Sequence, residues 1–569
     1  MQLQVFKKLF GVILLAGALL PATAQEEKDH NFNVAKNMEV FNTLYKYLDM
    51  MYVDTLDANE VIGYGINAML GSLDPYTEYY PADYASNLSF MLTGRYGGIG
   101  AIVRYDLSRK NVIIEEPYED TPAAKAGLQK GDMIVSIDDS VMTGKTVDYV
   151  TKHLRGDAGS TFEIKVIRPS TGKTLRKKIT REQIQQPAVS YYGVQDGGIG
   201  YIDLNSYTEN CAKEVRRAVL DMKRDGMKSL VLDLRNNGGG SLQEAVSIVN
   251  MFVPKGITLV TTQGKLKRAN REYKTTVEPI DTVMPIVVLV NNGTASSAEI
   301  TCGGLQDLDR AVVMGTRTYG KGLVQTTLEL PYNGTVKLTT SKYFIPSGRC
   351  IQAINYRHAR GGYTERVPDS LTHVFQTRGG RVVRDGGGIT PDLEVQPDSL
   401  PNIAFYLAST GRDSTEAMLN WELNYIKKHK SIAPAATFEL SDADYEDFKQ
   451  FVLKSGFTYD RESEKYLKDL VKLAKFEGYY DDARAEFEAL EKKLNHNLAK
   501  DLDYNKEVLK SILANDIVTA YYYQRGATAN MLLHDKQWKE AVKLLNDPER
   551  YQQTLRPQTK ADPQEATAE

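Results

Sequence analysis

The sequence predicts a multidomain α/β protein whose strand–helix layered core spans residues 173–400. Three observations predict it. Between 196 and 330, short apolar strands alternate with amphipathic helices, the pattern of a sheet covered on its faces. Between 94 and 170 the pattern changes to short strands, Gly-rich turns and brief helices, an α+β unit. Beyond about 400 the apolar residues recur only at helical spacing, an all-α extension. At 569 residues the chain is too long for one compact domain. The expected division is 1–24, a targeting segment; 25–90, a helical segment; 91–172, the α+β unit; 173–400, the core, with an insert at 353–387; and 401–569, the helical extension with a disordered tail.

Each element follows from its residues. Lys7 and Lys8 precede the apolar run Leu9–Leu20, and Pro21-Ala22-Thr23-Ala24 closes with Ala-x-Ala before Gln25. That is a secretory signal cleaved near Ala24, and its run is shorter than the ~20 residues of a spanning helix. The expected destination is the periplasm or cell envelope. Val34, Met38, Phe41, Leu44, Leu48 and Met51 lie at helical spacing, a second helix is expected at 57–70, and Leu73-Asp74-Pro75-Tyr76-Thr77 is a turn.

In the α+β unit, strands are expected at 101–103, 111–115, 133–137 and 161–167. A short helix begins at Pro122, and a longer one at 146–154 carries Val147, Val150 and Leu154 on one face. Core strands are expected at 199–204, 229–234, 257–262, 285–290, 311–315 and 323–330. Core helices are expected at 208–224 and 242–252, with another opening near Ser296. The run Pro285–Val290 is apolar throughout, as in a fully buried strand. Helices at 414–428, 441–455, 463–475, 480–497, 503–514 and 527–545 complete the chain, without a fixed repeat.

Composition is ordinary, 42% apolar and 25% charged, and the net charge of −3 gives no reason to expect a nucleic-acid partner. Loss of the targeting segment removes two lysines and takes the charge to −5. Cys211, Cys302 and Cys350 are too few for a disulfide framework, and whether two of them pair is open. No Cys/His cluster has metal-ligand spacing, so no metal or other cofactor is expected.

The chemistry gathers around Ser296. The seven histidines are His30, His153, His358, His373, His429, His496 and His534, and none lies between 154 and 357. A Ser/His/Asp triad therefore cannot come from the core alone. Ser296 follows a buried strand and opens a helix, where unpaired N–H groups and partial positive charge favour an oxyanion. An isolated serine at such a place is usually only a cap. Here Lys321, held between Gly320 and Gly322, offers a base. Free lysine titrates near 10.4, burial favours its neutral amine, and the amine can then take the serine proton. Gln325 shares the face of Lys321 on a strand and can orient the amine without adding charge. The Ser297 N–H is one oxyanion donor, and a second is expected in the turn Asp233-Leu234-Arg235-Asn236-Asn237-Gly238-Gly239-Gly240, where glycines let backbone N–H groups approach a substrate. This turn lacks the Gly-Lys-Ser/Thr ending of a phosphate loop.

Two resemblances rest on these residues. Gly97-Gly98-Ile99-Gly100, Ala126-Gly127-Leu128, Gly131-Asp132 and the helix at 146–154 resemble a circularly permuted bacterial PDZ domain. Residues 293–300, Gly320-Lys321-Gly322 with Gln325, Asp233–Asn237, Leu73–Thr77, Tyr343–Gln352 and Gly388–Asp392 resemble the C-terminal processing (tail-specific) serine peptidases. The match runs from 35 to about 396 and leaves the helical extension outside. It implies a crotonase/ClpP-like core, a Ser296/Lys321 dyad assisted by Gln325, oxyanion donors at Ser297 and Gly239, and a PDZ groove that reads substrate C-termini. Thr294, Ser297 and Ala298 depart from the usual motif, and Gly238 stands where proline is frequent, which leaves Gly238 the alternative to Gly239 as the second donor.

For the groove, the N–H groups of Gly97, Gly98, Ile99 and Gly100 are expected to hold a terminal carboxylate. An extended tail would add to the strand from Ala101, beside a wall of Val147 and Val150 that favours an apolar last residue. The expected partners are proteins with accessible C-terminal tails, and the C-terminal helices are expected to serve self-association or an envelope partner. The alternative is a catalytically silent PDZ adaptor that keeps the peptidase fold as a scaffold.

Overall fold

The computed structural model describes residues 29–356, 365–409, 411–494 and 497–557. The targeting segment, His358, His496 and all but the first few residues of the polar tail lie outside them. The chain forms two compact units, ending and beginning at Tyr79 and Tyr80. In the first, helix α1 covers residues 29–51 and α2 covers Ala58–Gly71. The Asp57 carboxylate caps α2 by accepting from the Asn59 and Glu60 N–H groups at 2.8 and 3.1 Å. Asp74 closes the next turn in the same way, accepting from the Tyr76 and Thr77 N–H groups at 2.8 Å. No described helix is long and apolar enough to cross a membrane.

The second unit begins with α3 (Ala85–Thr93). An antiparallel sheet follows in which β1 (Ala101–Asp106), β2 (Asn111–Pro117), β3 (Met133–Ile137), β4 (Thr161–Arg168) and β5 (Lys173–Thr180) pair in sequence order. Helices α4 (Pro122–Lys125) and α5 (Val147–Leu154) pack on it around Ile114, Ile134, Val150 and Ile164. Strand β5 is absent from the sequence expectation. Lys173, Arg176, Lys177 and Lys178 hide its period, and only Leu175 and Ile179 join the apolar core.

The core sheet has six strands in the order β6 (Val189–Gln195), β7 (Ile199–Leu204), β8 (Ser229–Asp233), β10 (Ile286–Val290), β11 (Val312–Gly315) and β14 (Leu393–Glu394). The first pair is antiparallel and the rest are parallel. Both faces are buried, and the alternation of strand side chains separates them cleanly. Ile202, Leu232, Val288 and Val313 face α6 (Cys211–Arg224), α7 (Leu242–Val249) and α8 (Ser297–Asp307). Tyr201, Val231, Val287, Leu289 and Met314 face the other way. A second sheet joins β9 (Thr258–Gly264), β12 (Leu323–Glu329) and β13 (Thr335–Phe344), with β13 pairing antiparallel to both of the others. Within the insert, the strands Val374–Gln376 and Val382–Arg384 form a hairpin that Arg381 anchors to Asp309 at 2.7 Å and Asp392 at 2.6 Å. The three cysteines are free thiols.

The C-terminal region consists of α9 (Asn402–Ala408), α10 (Ala417–Lys428), α11 (Asp442–Ser455), α12 (Glu462–Glu477), α13 (Arg484–Leu494), α14 (Leu498–Tyr504), α15 (Lys506–Met531), α16 (Lys536–Leu545) and α17 (Pro548–Thr554). Five of them, α9, α10, α11, α14 and α15, share a core around Trp421, Phe448, Leu509 and Ile517. That core docks on the small β-sheet domain. The Arg104 guanidinium meets both oxygens of Glu416 at 3.0 Å, and Lys130 meets Glu422 at 3.1 Å. The single helix expected at 527–545 is in fact the end of α15 and a separate α16. Helices α16 and α17 leave the helical core altogether. Leu532, Trp538, Ala541, Leu544 and Tyr551 cover the second face of the six-stranded sheet.

Candidate active site

Ser296 stands where β10 has ended and α8 begins, with φ 57° and ψ −117°. A non-glycine residue pays about 1–3 kcal/mol to stay in such a conformation and keeps it only where its surroundings fix it. They do so here. The Ser296 N–H donates to Glu299 Oε2 at 2.9 Å, and its carbonyl accepts from Tyr343 Oη at 3.2 Å and the Ile300 N–H at 2.9 Å.

Glu299 also reaches the loop of the predicted base. Its Oε2 accepts from the Lys321 N–H at 2.9 Å, and its Oε1 accepts from the Gly320 N–H at 2.8 Å and Thr318 Oγ1 at 2.5 Å. One fully buried carboxylate thus ties the backbone of Ser296 to the backbone of Lys321. Burial pushes this carboxyl up, while its four donors pull it down.

The Gly-rich turn lies against the same helix start. A Cβ on Gly239, which has φ 90°, would come within 2.8 Å of Ser296 Cβ and the Ser297 nitrogen, so only glycine permits this approach. Ser297 Oγ donates to the Gly240 carbonyl at 2.8 Å and fastens the turn to α8. The Gly239 N–H donates to Asn237 Oδ1 at 2.8 Å. The space beside Gly238 is open.

A cavity of about 490 Å³ is lined by Ser296, Ser297, Lys321, Gln325, Gly238 and Gly239, and α3 adds Leu88, Met91 and Leu92 to its wall. All five residues expected of the catalytic and oxyanion machinery therefore share one cleft, and no described histidine lines it. Gln325 Nε2 donates to Thr339 Oγ1 at 3.0 Å, which turns the amide oxygen away from Thr339.

The groove residues divide. Ile99, Ala101, Val103, Val147, Thr151 and Leu154 line a separate cavity of about 240 Å³ between β1 and α5. Val150, expected on the wall of this groove, does not line it. It is completely buried in the β-sheet domain core, because helical spacing places 147, 151 and 154 on the groove side. Gly97 and Gly98 sit in the strand Arg95–Gly98, paired with Glu182–Gln185. The carbonyl of Gly100 accepts from Tyr118 N–H and Thr121 Oγ1, both at 2.9 Å.

A carboxy-terminal-processing protease of Bartonella bacilliformis is 34% identical over 346 residues, which is 60% of this chain and 79% of that protein. A probable CtpA-like serine protease of Staphylococcus epidermidis is 31% identical over 365 residues, 62% of this chain and 70% of the relative. Residues 198–365 match peptidase family S41. The chain belongs to peptidase family S41. It is a serine-type peptidase with a PDZ domain, matched over 113–168. Residues 406–545 match the probable PDZ-protease C-terminal helical domain. A solved structure, a photosystem II D1 C-terminal processing protease, is 27% identical, covering 65% of this chain and 92% of its own with a TM-score of 0.34.

Sequence reasoning missed three residues of this S41 site. Glu299 had a legible signal, a Glu three positions after a serine that opens a helix. Asn237, whose Nδ2 donates to the Leu204 carbonyl at 2.6 Å while its Oδ1 holds Gly239, had only its place in the turn. Tyr343 arrives from a different sheet; it opens the motif Tyr343–Gln352, but nothing in that motif marks its hydroxyl as a partner of Ser296.

Proposed function

We propose that this S41 peptidase cleaves by a Ser296/Lys321 dyad and takes substrates by their C-terminal tails. Ser296 Oγ attacks the scissile carbonyl as its proton passes to the neutral Lys321 amine. Negative charge then develops on the carbonyl oxygen against the Ser297 N–H and a glycine N–H, and Gly238 is the better candidate because Asn237 already engages Gly239. The lysine ammonium returns the proton to the leaving amine, which leaves an acyl-enzyme. Water attacks the ester as its proton goes to Lys321, and the ammonium returns that proton to Ser296 Oγ as the C–O bond breaks, which restores the hydroxyl and the neutral amine. The Gln325 amide oxygen accepts from the lysine and aims its lone pair.

The observation that carries this reading is the single cleft shared by Ser296, Lys321, Gln325 and the Gly-rich turn. The apolar cavity between β1 and α5 supports capture of a tail with an apolar last residue. The N-terminal signal supports export to the cell envelope. In this reading 91–172 selects substrate and 173–400 cleaves it.

The test is turnover of an unfolded protein substrate by the full chain beside Ser296→Ala and Lys321→Ala. Both variants should lose cleavage by at least ~1,000-fold while still binding a tail peptide. Equal inertness of all three proteins would return the molecule to the role of a tail-binding adaptor.

A further inference from the structure

Arg235 opens the turn that carries Gly238 and Gly239, and its guanidinium does not stay within the peptidase core. It closes on Asp233 beside it, then on Asp535 Oδ2 at 2.6 Å and Gln537 Oε1 at 2.9 Å. Asp535 stands 300 positions along the chain. Both partners belong to the start of α16. Asp535 is its cap, accepting from the Trp538 N–H at 2.9 Å, and the buried Gln537 donates to the Val395 carbonyl at 2.6 Å. Trp538 fixes the helix by meeting Tyr201 of β7 edge to face at 5.3 Å.

From Arg235 onward the turn has little freedom. Asn236, at φ 58°, donates from its N–H to Asn291 Oδ1 at 2.9 Å. The Asn237 carbonyl accepts from the Ala295 N–H at 2.9 Å, one residue before Ser296. Gly239 then lies against Ser296 with no room for a Cβ. Movement at Arg235 is therefore passed to the N–H groups that face the cleft, and oxyanion stabilisation depends on those donors to within fractions of an ångström.

We infer that Asp535 and Gln537 of the C-terminal helical domain are positioning residues for the peptidase, holding the oxyanion turn in register through Arg235. The helical extension is then part of the catalytic apparatus rather than an appendage to it. This rests on the reading of that turn as the oxyanion site.

The test compares the full-length protein with Asp535→Asn and Gln537→Ala. Asparagine keeps the helix cap and the side-chain size while removing the charge from Arg235. Each variant is read three ways: kcat and KM on a peptide substrate, inhibition by a peptide aldehyde that adds to Ser296 as a tetrahedral oxyanion, and Tm. The expected result for Asp535→Asn is a fall in kcat of about 10- to 100-fold, short of the ~100- to 1,000-fold cost of losing an oxyanion donor outright. Aldehyde affinity should fall in parallel, with KM within about twofold and Tm nearly unchanged, and Asp535→Glu should restore part of kcat. Gln537→Ala should move the same quantities less. Wild-type kcat and aldehyde affinity in both variants would overturn the inference. So would a loss that follows Tm and spares the aldehyde, since that is what a mere brace would give. If the unmodified protein and Ser296→Ala are equally inert, the peptidase reading itself falls, and this inference with it.

Discussion

The two faces of the six-stranded sheet are covered in opposite ways. One face receives α6, α7 and α8, each close in sequence to the strands it covers. The other receives α16 and α17, which arrive from the end of the chain. The near face carries Ser296 at the head of α8. Among the described residues none of the far-face cluster lines the cleft, yet its helix holds Arg235 at the mouth of the Gly-rich turn. A helix that follows its strand can be supplied by the fold itself. A helix delivered from a separate domain makes the peptidase core depend on that domain.

The largest test of this contrast is to end the chain at residue 531. That uncovers Tyr201, Val231, Val287 and Leu289, side chains worth about 1.5–3 kcal/mol each when buried. The expected outcome is no soluble folded peptidase, seen by expression and size-exclusion chromatography. A monodisperse, active fragment would break the comparison. Next comes Trp538→Ala, expected to cost about 3–5 kcal/mol in denaturant unfolding. A cost below 1 kcal/mol would mean that the far face is only loosely covered.

A smaller effect comes from the way α16 is delivered. Helix α15 breaks at Tyr523 (φ 56°, ψ −173°), and the Gln524 N–H next to the break donates to Glu116 Oε1 of the PDZ domain at 2.8 Å. Burial raises the Glu116 carboxyl from 4.5 to about 7, with Glu115 adding to the rise and the Gln524 N–H and Lys130 opposing it. The folded chain thus holds this proton more tightly than the unfolded chain. The stability linked to it is complete below pH 4.5 and is lost as pH rises through about 7. Unfolding free energy should fall over that window by up to ~3 kcal/mol, and Glu116→Gln should flatten the slope. An unchanged slope in the variant would remove Glu116 as its source. The smallest effect is Tyr551→Phe. The Tyr551 hydroxyl accepts from the Ile286 N–H at 2.9 Å and donates to its carbonyl at 3.0 Å, so the loss should be about 1–2 kcal/mol.

The same contrast explains what the sequence makes legible. The alternation of 199–204, the buried run at 285–290 and the helix opening at Ser296 are local patterns, and each element appears close to its expected place. Ser296, Lys321 and Gln325, expected to meet from their types and spacing, line one cleft in the structure, so that meeting too can be read before the fold is known. Strand β5 cannot, because Lys173 and Lys177 share the inward side with Leu175 and Ile179 and break the apolar period. The length of α15 and its separation from α16 are equally hidden. Tyr523, where α15 breaks, has nothing in its type that marks a break, and the bond from the next N–H goes to Glu116, which is far away in sequence. The pairing of Arg235 with Asp535 has no local trace at all, since neither residue is unusual where it stands. The misplacement of Val150 has another cause: residues 147 and 150 share a helix side only in part, and the sheet decides which of them is covered.

The proposed catalysis turns on Ser296 being made nucleophilic by Lys321. The most direct measurement is labelling by a fluorophosphonate, in which the serine oxygen displaces fluoride from phosphorus, followed by intact-mass and peptide mapping. The predicted result is one adduct per chain, on Ser296, with the labelling rate of Lys321→Ala lower by at least ~100-fold while its fold and Tm are kept. An adduct elsewhere in the chain, or a Lys321→Ala variant that labels at the wild-type rate, would contradict it.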